Sequence, residues 1–339
     1  MPHPPLTVIM PMFNAAPFVR AAVDSVLEQT FTDFDFLIVD DGSTDGSADI
    51  VRDLAAGDAR IQLIVQDNQG IVPSLNRMIA RAQGRYIARM DADDLCLPER
   101  FARQIACLEA RPELGAVGTQ FIEIDARGAV RDAHFRHPVG SDAVHAQLLM
   151  GQPLANPTVM FRADALRAAG GYRAAFRYCE DYDLFLRLSR VARLDNLPDV
   201  LFHYRRSAGQ MSVAANARQT RQSVKARFAH HEVLAGRPDP FDGLATLPTV
   251  DQLDALVGRA GVGAAVGREI ALRLLHNRRA LRGEEFAIIT AAAASPARLP
   301  GGWRAVLRCL RFGMPLRAAR LALALVAGAA VAALEVGSA

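Results

Sequence analysis

The chain has 339 residues, of which 51% fall in the hydrophobic set and 22% are charged. That balance supports a substantial buried core and excludes disorder, collagen and coiled coil. Thirty-nine Lys and Arg against thirty-six Asp and Glu leave a formal charge of +3, too near neutrality for electrostatics to indicate a nucleic-acid partner.

The N-terminus, Met1-Pro-His-Pro-Pro-Leu6, lacks the basic start and apolar core of a secretory signal. Thr7–Met10 is a short apolar run followed by Pro11 and Asn14, after which Val19, Ala22, Val23, Val26 and Leu27 recur at helical spacing. Phe34–Val39 reads as a second buried strand running into the polar loop Asp40–Ser47, and Ile50, Val51 and Leu54 mark a second helix. Ile61–Val65 predicts a third strand, Ser74–Ala82 a third helix, and Tyr86–Met90 a fourth strand ending in Asp91-Ala-Asp-Asp94. Pro98 suits the first turn of a fourth helix carrying Phe101, Ile105 and Leu108. Cys96, Cys107, Cys179 and Cys309 show no Cys-x-x-Cys and no zinc-ligand spacing, so reduced, mostly buried thiols and a cytoplasmic location are expected.

This alternation predicts an α/β fold, a doubly wound and mainly parallel sheet with helices on both faces. Ligands in such sheets bind beyond the carboxyl ends of the strands, where strand order reverses. The loops at Asn14, Asp40–Ser43 and Asp91–Asp94 all follow strand ends and should meet at one edge. Farther on, Gly236–Gly243 reads as a joint, giving expected divisions of 1–235 for the sheet domain, 236–315 for a helical appendage and 316–339 for an apolar C-terminal helix.

In extended chain Asp91 and Asp93 face one side. Two carboxylates so placed can share a hard divalent cation, or one can take the metal while the other takes a sugar hydroxyl. Mg2+ and Mn2+ prefer oxygen ligands and accept substrate phosphate in their remaining positions. Either acidic loop could instead serve only as a turn, because Asp is common there and Asp45 or Ser47 could cap the next helix. Two acidic clusters, each directly after a buried strand of one alternating sheet, favour a shared site.

Val8-Ile-Met-Pro-Met-Phe-Asn14, Ser25–Thr30, Val39-Asp-Asp-Gly-Ser-Thr-Asp-Gly46, Asn68-Gln-Gly70, Gly84-Arg-Tyr-Ile87 and Asp91-Ala-Asp-Asp94 resemble, in order and spacing, family 2 glycosyltransferases of the GT-A fold. The resemblance implies that Pro11, Phe13 and Asn14 line a nucleotide pocket and that Asp41 hydrogen-bonds a uracil-type base edge. It further implies that Asp91 contacts the ribose or donor sugar, that Asp93 binds the cation, Mg2+ or Mn2+, and that Asp94 neighbours that site. Asn156-Pro-Thr158, Gly170-Gly-Tyr172 and Cys179–Arg187 extend the similarity, with Asp181, beside Glu180, matching the base that takes the acceptor proton. Acidic residues at a helix start are also favoured by the helix dipole alone.

The implied activity is inverting, metal-dependent transfer of a sugar from a nucleotide-sugar donor, UDP-linked, to a glycan or lipid-linked acceptor of a cell-surface polymer. Two alternatives stand beside it, a sugar nucleotidyltransferase and an inactive glycosyltransferase-like binding subunit. The first normally carries a Gly-rich basic loop after its first strand, where this chain has Met10–Ala16; the second has no need of Asp41, Asp91, Asp93 and Asp181 together. One departure concerns the segment Leu201–Ser212, where Ser207 replaces a usual His. Arg205 and Gln210 are candidates for phosphate or loop contacts, and His203 reads as a structural histidine.

Leu321–Leu334 is a run of fourteen uncharged residues between Arg320 and Glu335, short of the about 20 needed to span a bilayer. Arginines 304, 308, 311, 317 and 320 precede it. An interfacial helix at the inner face of the cell membrane, a packed terminal helix and a homo-oligomer contact all fit.

Overall fold

A computed structural model describes residues 4–131, 136–206, 216–297 and 299–337. It divides into two compact units, residues 1–174 with 180–210, and residues 175–179 with 211–339. The first unit holds strands β1 (Leu6–Met12), β2 (Phe34–Asp40), β3 (Ile61–Val65), β4 (Tyr86–Arg89), β5 (Leu95–Cys96), β6 (Leu114–Ile124), β7 (Met160–Arg162) and β8 (Arg193–Arg205). Its helices are α1 (Val19–Leu27), α2 (Ser47–Gly57), α3 (Ile71–Arg81), α4 (Arg100–Ala110), α5 (Ser141–Leu148), α6 (Ala163–Ala168) and α7 (Glu180–Leu188).

The eight strands form one sheet in the order β3-β2-β1-β4-β7-β6-β8-β5. The pairs β3–β2, β2–β1, β1–β4 and β6–β8 are parallel, whereas β7 is antiparallel to β4 and β6, and β5 to β8. The chain winds outward from β1 through β2 to β3 and then returns to β4 on the other side of β1. The strand order therefore reverses beside β1, and the carboxyl ends of β1, β2 and β4 share one edge, the expected place for a ligand.

Near-continuous apolar runs make β1 and β2 because both faces of these central strands are covered. Leu6, Val8, Ile9 and Met10 are fully buried, as are Val19, Ala22, Val23 and Val26 on the inner stripe of α1. Phe34 meets Phe101 of α4 edge-to-face at 5.7 Å. Two helix starts differ from the sequence expectation. α3 begins at Ile71 rather than Ser74, because Pro73 sits in the first turn, where its missing N–H leaves no bond unmade. Pro98 precedes α4, which opens at Arg100.

The second unit is helical, with α8 (Asn216–Leu234), α9 (Leu253–Val257), α10 (Val262–Leu274), α11 (Arg278–Arg282), α12 (Glu285–Ala294), α13 (Gly302–Arg311) and α14 (Pro315–Gly337). The expected joint at Gly236–Gly243 lies inside this unit. Phe241 is fully buried there, its ring 5.9 Å from that of Phe176 and 6.1 Å from that of Phe228. Cys107 is partly exposed, and Cys96, Cys179 and Cys309 are buried. The terminal apolar run belongs to a longer helix than expected, since α14 has 23 residues and is long and apolar enough, by length and composition, to cross a membrane.

Candidate active site

Three loops meet at the edge beside β1. The Ile9 carbonyl accepts from the Met90 N–H, so Pro11, two residues on, turns its nitrogen to the side where β4 has ended and breaks no ladder bond. Phe13 follows and is 52% exposed. Asn14 adopts a left-handed φ of 50°, a conformation its short polar side chain tolerates. Its Oδ1 accepts from Thr44 N at 2.9 Å and its N–H donates to Ser43 Oγ at 2.9 Å. Asn14 thus stitches the β1 loop to the β2 loop.

Asp41 directly follows β2, its N–H bonded to the Met12 carbonyl. Its carboxylate, only 5% exposed, accepts from Gln66 Nε2 at 2.7 Å, Gln69 N at 2.9 Å and Gly70 N at 2.8 Å. A carboxylate offers about four acceptor sites, so Asp41 organises the loop before α3 and retains capacity for a further donor such as a base N–H. Gly42 is required here. Its φ is +81°, and a Cβ would stand 2.9 Å from Asn68 N.

Carboxylate oxygens of Asp91, Asp93 and Asp94 all lie within 4.8 Å of one another. Asp94 is buried; its Oδ1 accepts from Arg205 N at 2.7 Å while Oδ2 has no hydrogen-bond partner among the described residues. Burial, then the charges of Asp93 and Asp91, push its carboxyl well above the usual range. A buried orphan carboxylate oxygen beside two more carboxylates is a costly arrangement without a counter-charge. It matches the all-oxygen donor set that Mg2+ or Mn2+ prefers.

Arg205 braces this loop from β8. Its Nε donates to the Asp93 carbonyl at 2.6 Å, its Nη1 to the Asp125 carbonyl at 2.9 Å, and its guanidinium lies 4.9 Å from the Phe18 ring centre. Of the two roles expected for Arg205, phosphate or loop contact, these contacts are those of a loop brace. Arg206 is paired with Glu123 at 2.7 Å, and His203 sits in the β8 ladder opposite Leu95. Gln210 and Ser207 lie outside the described residues.

Asp181 and Glu180 open α7. Asp181 Oδ2 accepts from Gln152 Nε2 at 2.6 Å and Oδ1 from Tyr182 N at 2.7 Å; burial raises its carboxyl above the ordinary value, partly offset by these bonds and by Arg89. The start of α7 is held by Asp183, which pairs with Arg173 and Arg187. Arg187 Nη2 in turn donates to the Gly171 carbonyl at 2.6 Å. Asn76 fixes the same turn through its own amide, with Nδ2 donating to the Tyr172 carbonyl at 2.7 Å and Oδ1 accepting from Tyr172 N at 2.9 Å.

Arg89 joins the two halves and was not anticipated. It is 3% exposed, and its Nη2 lies 2.7 Å from Asp91 Oδ1. Nε and Nη1 are buried without hydrogen-bond partners among the described residues. Asp91, Tyr172 and Asp181 all lie close enough to influence its charge. The sequence did hold a signal, because Arg89 is two and four residues before Asp91 and Asp93, on the same side of an extended strand.

Comparison with known proteins agrees with this geometry. The family description Glycosyl transferase family 2 matches residues 7–168. EpsE of Bacillus subtilis (strain 168), which carries a glycosyltransferase assignment, is 36% identical over 207 residues, covering 60% of this chain and 73% of that protein. AmsE of Erwinia amylovora, an amylovoran biosynthesis glycosyltransferase, is 33% identical over 189 residues, covering 55% and 70%. Among solved structures, residues 1–349 of S. aureus TarS in complex with UDP-GlcNAc superpose with a TM-score of 0.61 at 15% identity, covering 94% of this chain and 90% of that one. The Pyrobaculum calidifontis mannosyltransferase PcManGT in complex with GDP-Man and Mn2+ gives 0.50 at 20% identity, covering 96% and 87%. The alternating sheet, the acidic loops at its switch point and these relatives together establish that the chain belongs to glycosyltransferase family 2 and is a glycosyltransferase of the GT-A fold.

Proposed function

We propose that this glycosyltransferase moves a sugar, with inversion, from a UDP-linked donor to a hydroxyl of a glycan or lipid-linked acceptor during synthesis of a cell-surface polysaccharide, working in the cytoplasm. The polysaccharide assignment is supported by AmsE, named for amylovoran biosynthesis. A UDP-sugar is bound by TarS and a GDP-sugar by PcManGT, so the choice of base here rests on Asp41 and its remaining acceptor capacity.

Pro11, Phe13 and Asn14 form the nucleotide end, Asp41 takes the base edge, and Asp91 takes the ribose or donor sugar. Asp93, with the free oxygen of Asp94, holds the divalent cation, Mg2+ or Mn2+, which when bound stabilises negative charge on the leaving diphosphate. Asp181, beside Glu180, accepts the proton of the acceptor hydroxyl. Gln152 and the Tyr182 N–H leave lone pairs on its carboxylate for that task. A positioned general base of this kind contributes roughly 10²–10⁴-fold. Direct displacement at the anomeric carbon needs no covalent enzyme intermediate and inverts configuration.

The observation that carries the reading is the position of Arg89, paired with Asp91 and within electrostatic reach of Asp181. It supports one cleft shared by the donor carboxylates and the base. Calorimetry and transfer assays on two variants test it. Asp181→Asn should keep UDP and Mn2+ binding while transfer falls by about 10²-fold or more; loss of binding instead would make Asp181 a structural support. Asp93→Ala should abolish Mn2+-dependent UDP binding, and unchanged binding would remove the cation site. Thermal shifts with UDP-, GDP- and dTDP-sugars plus Mn2+ then identify the donor, since a ligand at 100 times its Kd stabilises by about 2.7 kcal/mol.

A further inference from the structure

The C-terminal helices leave apolar surface that no described residue covers. α13 and α14 run antiparallel, because Gly302, at the start of α13, packs against Leu325 in the middle of α14. The inner stripe of α14, with Ala318, Leu321 and Gly328, is buried. Gly328 lies so close to the end of α12 that a Cβ there would be 2.5 Å from the Ala293 carbonyl oxygen. This packing takes up part of the run Leu321–Leu334 that drew attention in the sequence.

The outer faces are a different set of residues. On α13, Trp303, Leu307 and Leu310 fall at i, i+4 and i+7 and are 57%, 65% and 52% exposed. On α14, Leu316, Leu323 and Val326 are 83%, 71% and 56% exposed. Isolated exposed leucines are ordinary; a Trp and five large aliphatic side chains on the outer faces of one helical hairpin mark a contact surface.

Charge selects the partner. From Phe286 to Leu334 the sequence holds no Asp or Glu, while Arg304, Arg311 and Arg320 are exposed on the same two helices. Arg304 and Arg311 follow the Trp303 stripe at the same heptad spacing, on its flank. A two-fold contact between copies through this face would set arginine against arginine, with no carboxylate from Phe286 to Leu334 to relieve it. A surface of fixed negative charge over an apolar interior fits both features. Apolar side chains enter the headgroup boundary, arginines meet lipid phosphate, and Trp prefers that interface. Crossing the bilayer would strip α14 from α12 and α13, against which Ala318, Leu321 and Gly328 are buried.

The geometry points to a monotopic docking surface for an anionic bilayer, formed by the outer faces of α13 and α14 with Trp303 as its anchor. It is independent of the catalytic reading and stands or falls separately from it.

Trp303 is the only tryptophan of the chain, so its fluorescence reports this face directly. The full-length protein is titrated with vesicles of phosphatidylcholine containing 30% phosphatidylglycerol, as a test composition, and with phosphatidylcholine alone. Docking predicts a blue shift of emission and co-sedimentation with the anionic vesicles, at least about tenfold weaker with the neutral ones or in high salt. Leu307→Ser with Leu310→Ser, or Arg304→Glu with Arg311→Glu, should each reduce vesicle binding about tenfold or more while leaving the melting temperature and UDP binding unchanged. Unshifted Trp303 emission at saturating anionic lipid overturns the proposal. So does a concentration-dependent blue shift without lipid accompanied by dimer formation, which would reassign the face to a second copy.

Discussion

Arg89 and Asp91 stand two residues apart at the end of β4, with Nη2 and Oδ1 2.7 Å apart, the arginine almost wholly buried and the carboxylate 27% exposed. Burial alone would weaken the positive charge, but Asp91, then Tyr172 and Asp181, raise the guanidinium well above its ordinary value. The cation is therefore permanent, and it favours the charged form of Asp181. Arg89→Met should lower kcat/KM by about 10²-fold, equivalent to about 2.7 kcal/mol of transition-state stabilisation. It should also move the acid limb of the rate profile to higher pH, because Asp181 loses a neighbour that eases its ionisation. Arg89→Lys should recover part of both. A pH profile unchanged in the Met variant would reduce Arg89 to packing.

Asp41 has two tasks that one substitution separates. Its carboxylate receives two main-chain N–H groups and the Gln66 amide. In Asp41→Asn one oxygen becomes an NH2 group, which then faces a donor. Leaving such a buried group unsatisfied costs roughly 1–3 kcal/mol, to be read as a lower urea midpoint at unchanged m-value. UDP affinity should fall as well, with donor turnover impaired mainly through KM. A variant of full stability and full affinity would show that the charge of Asp41 is dispensable to both loop and base.

The elements that could be read in the sequence are those whose partners are local or whose burial is two-sided. β1 and β2 carry uninterrupted apolar runs, and α1 shows its stripe within nine residues. The acidic loops were visible because each follows such a run. Long-range pairing was not. β8 lies between β6 and β5, each of its paired residues at least 78 positions from its partner in sequence, and its register with β6 shifts at Leu114/Ala116, Gly118/Gln120 and Gln120/Phe121. The same holds in the site. Asp91, Asp93 and Asp94 read alike, yet only the fold buries Asp94 and strands its Oδ2. At the C-terminus, composition emphasised Leu321, which packing buries, and passed over Trp303, which packing leaves outside.

Gly84 shows how closely the turn between α3 and β4 lies on the first strand. Its N–H donates to Thr7 Oγ1 at 3.0 Å, and a Cβ would fall 2.6 Å from Thr7 N and 2.7 Å from the Leu6 carbonyl carbon. Both neighbours are main chain of a central strand and cannot rotate away. Gly84→Ala should therefore destabilise by about 1–3 kcal/mol or more through overpacking, whereas Gly57→Ala, with open space around it, should not. Urea melts of the two variants compare them directly, and equal midpoints would contradict the close approach.

Asp94 gives a stability effect of definite sign. In the unfolded chain its carboxyl ionises near the ordinary 3.8, whereas in the folded protein burial, followed by Asp93 and Asp91, holds it well above that. Between the two values the folded state binds more protons, so the metal-free protein should lose stability as pH rises from about 4 through the raised value. Asp94→Asn removes the charge while keeping an oxygen that can accept from Arg205 N. With chelator present it should equal or exceed the wild type at neutral pH, with this pH dependence gone. With Mn2+ the order should reverse, because a cation that binds the folded wild type stabilises it by mass action and the variant has lost a carboxylate oxygen from the donor set. Denaturant midpoints against pH, with chelator and with Mn2+, decide it. Undiminished Mn2+ stabilisation of the variant would leave Asp94 outside the cation site.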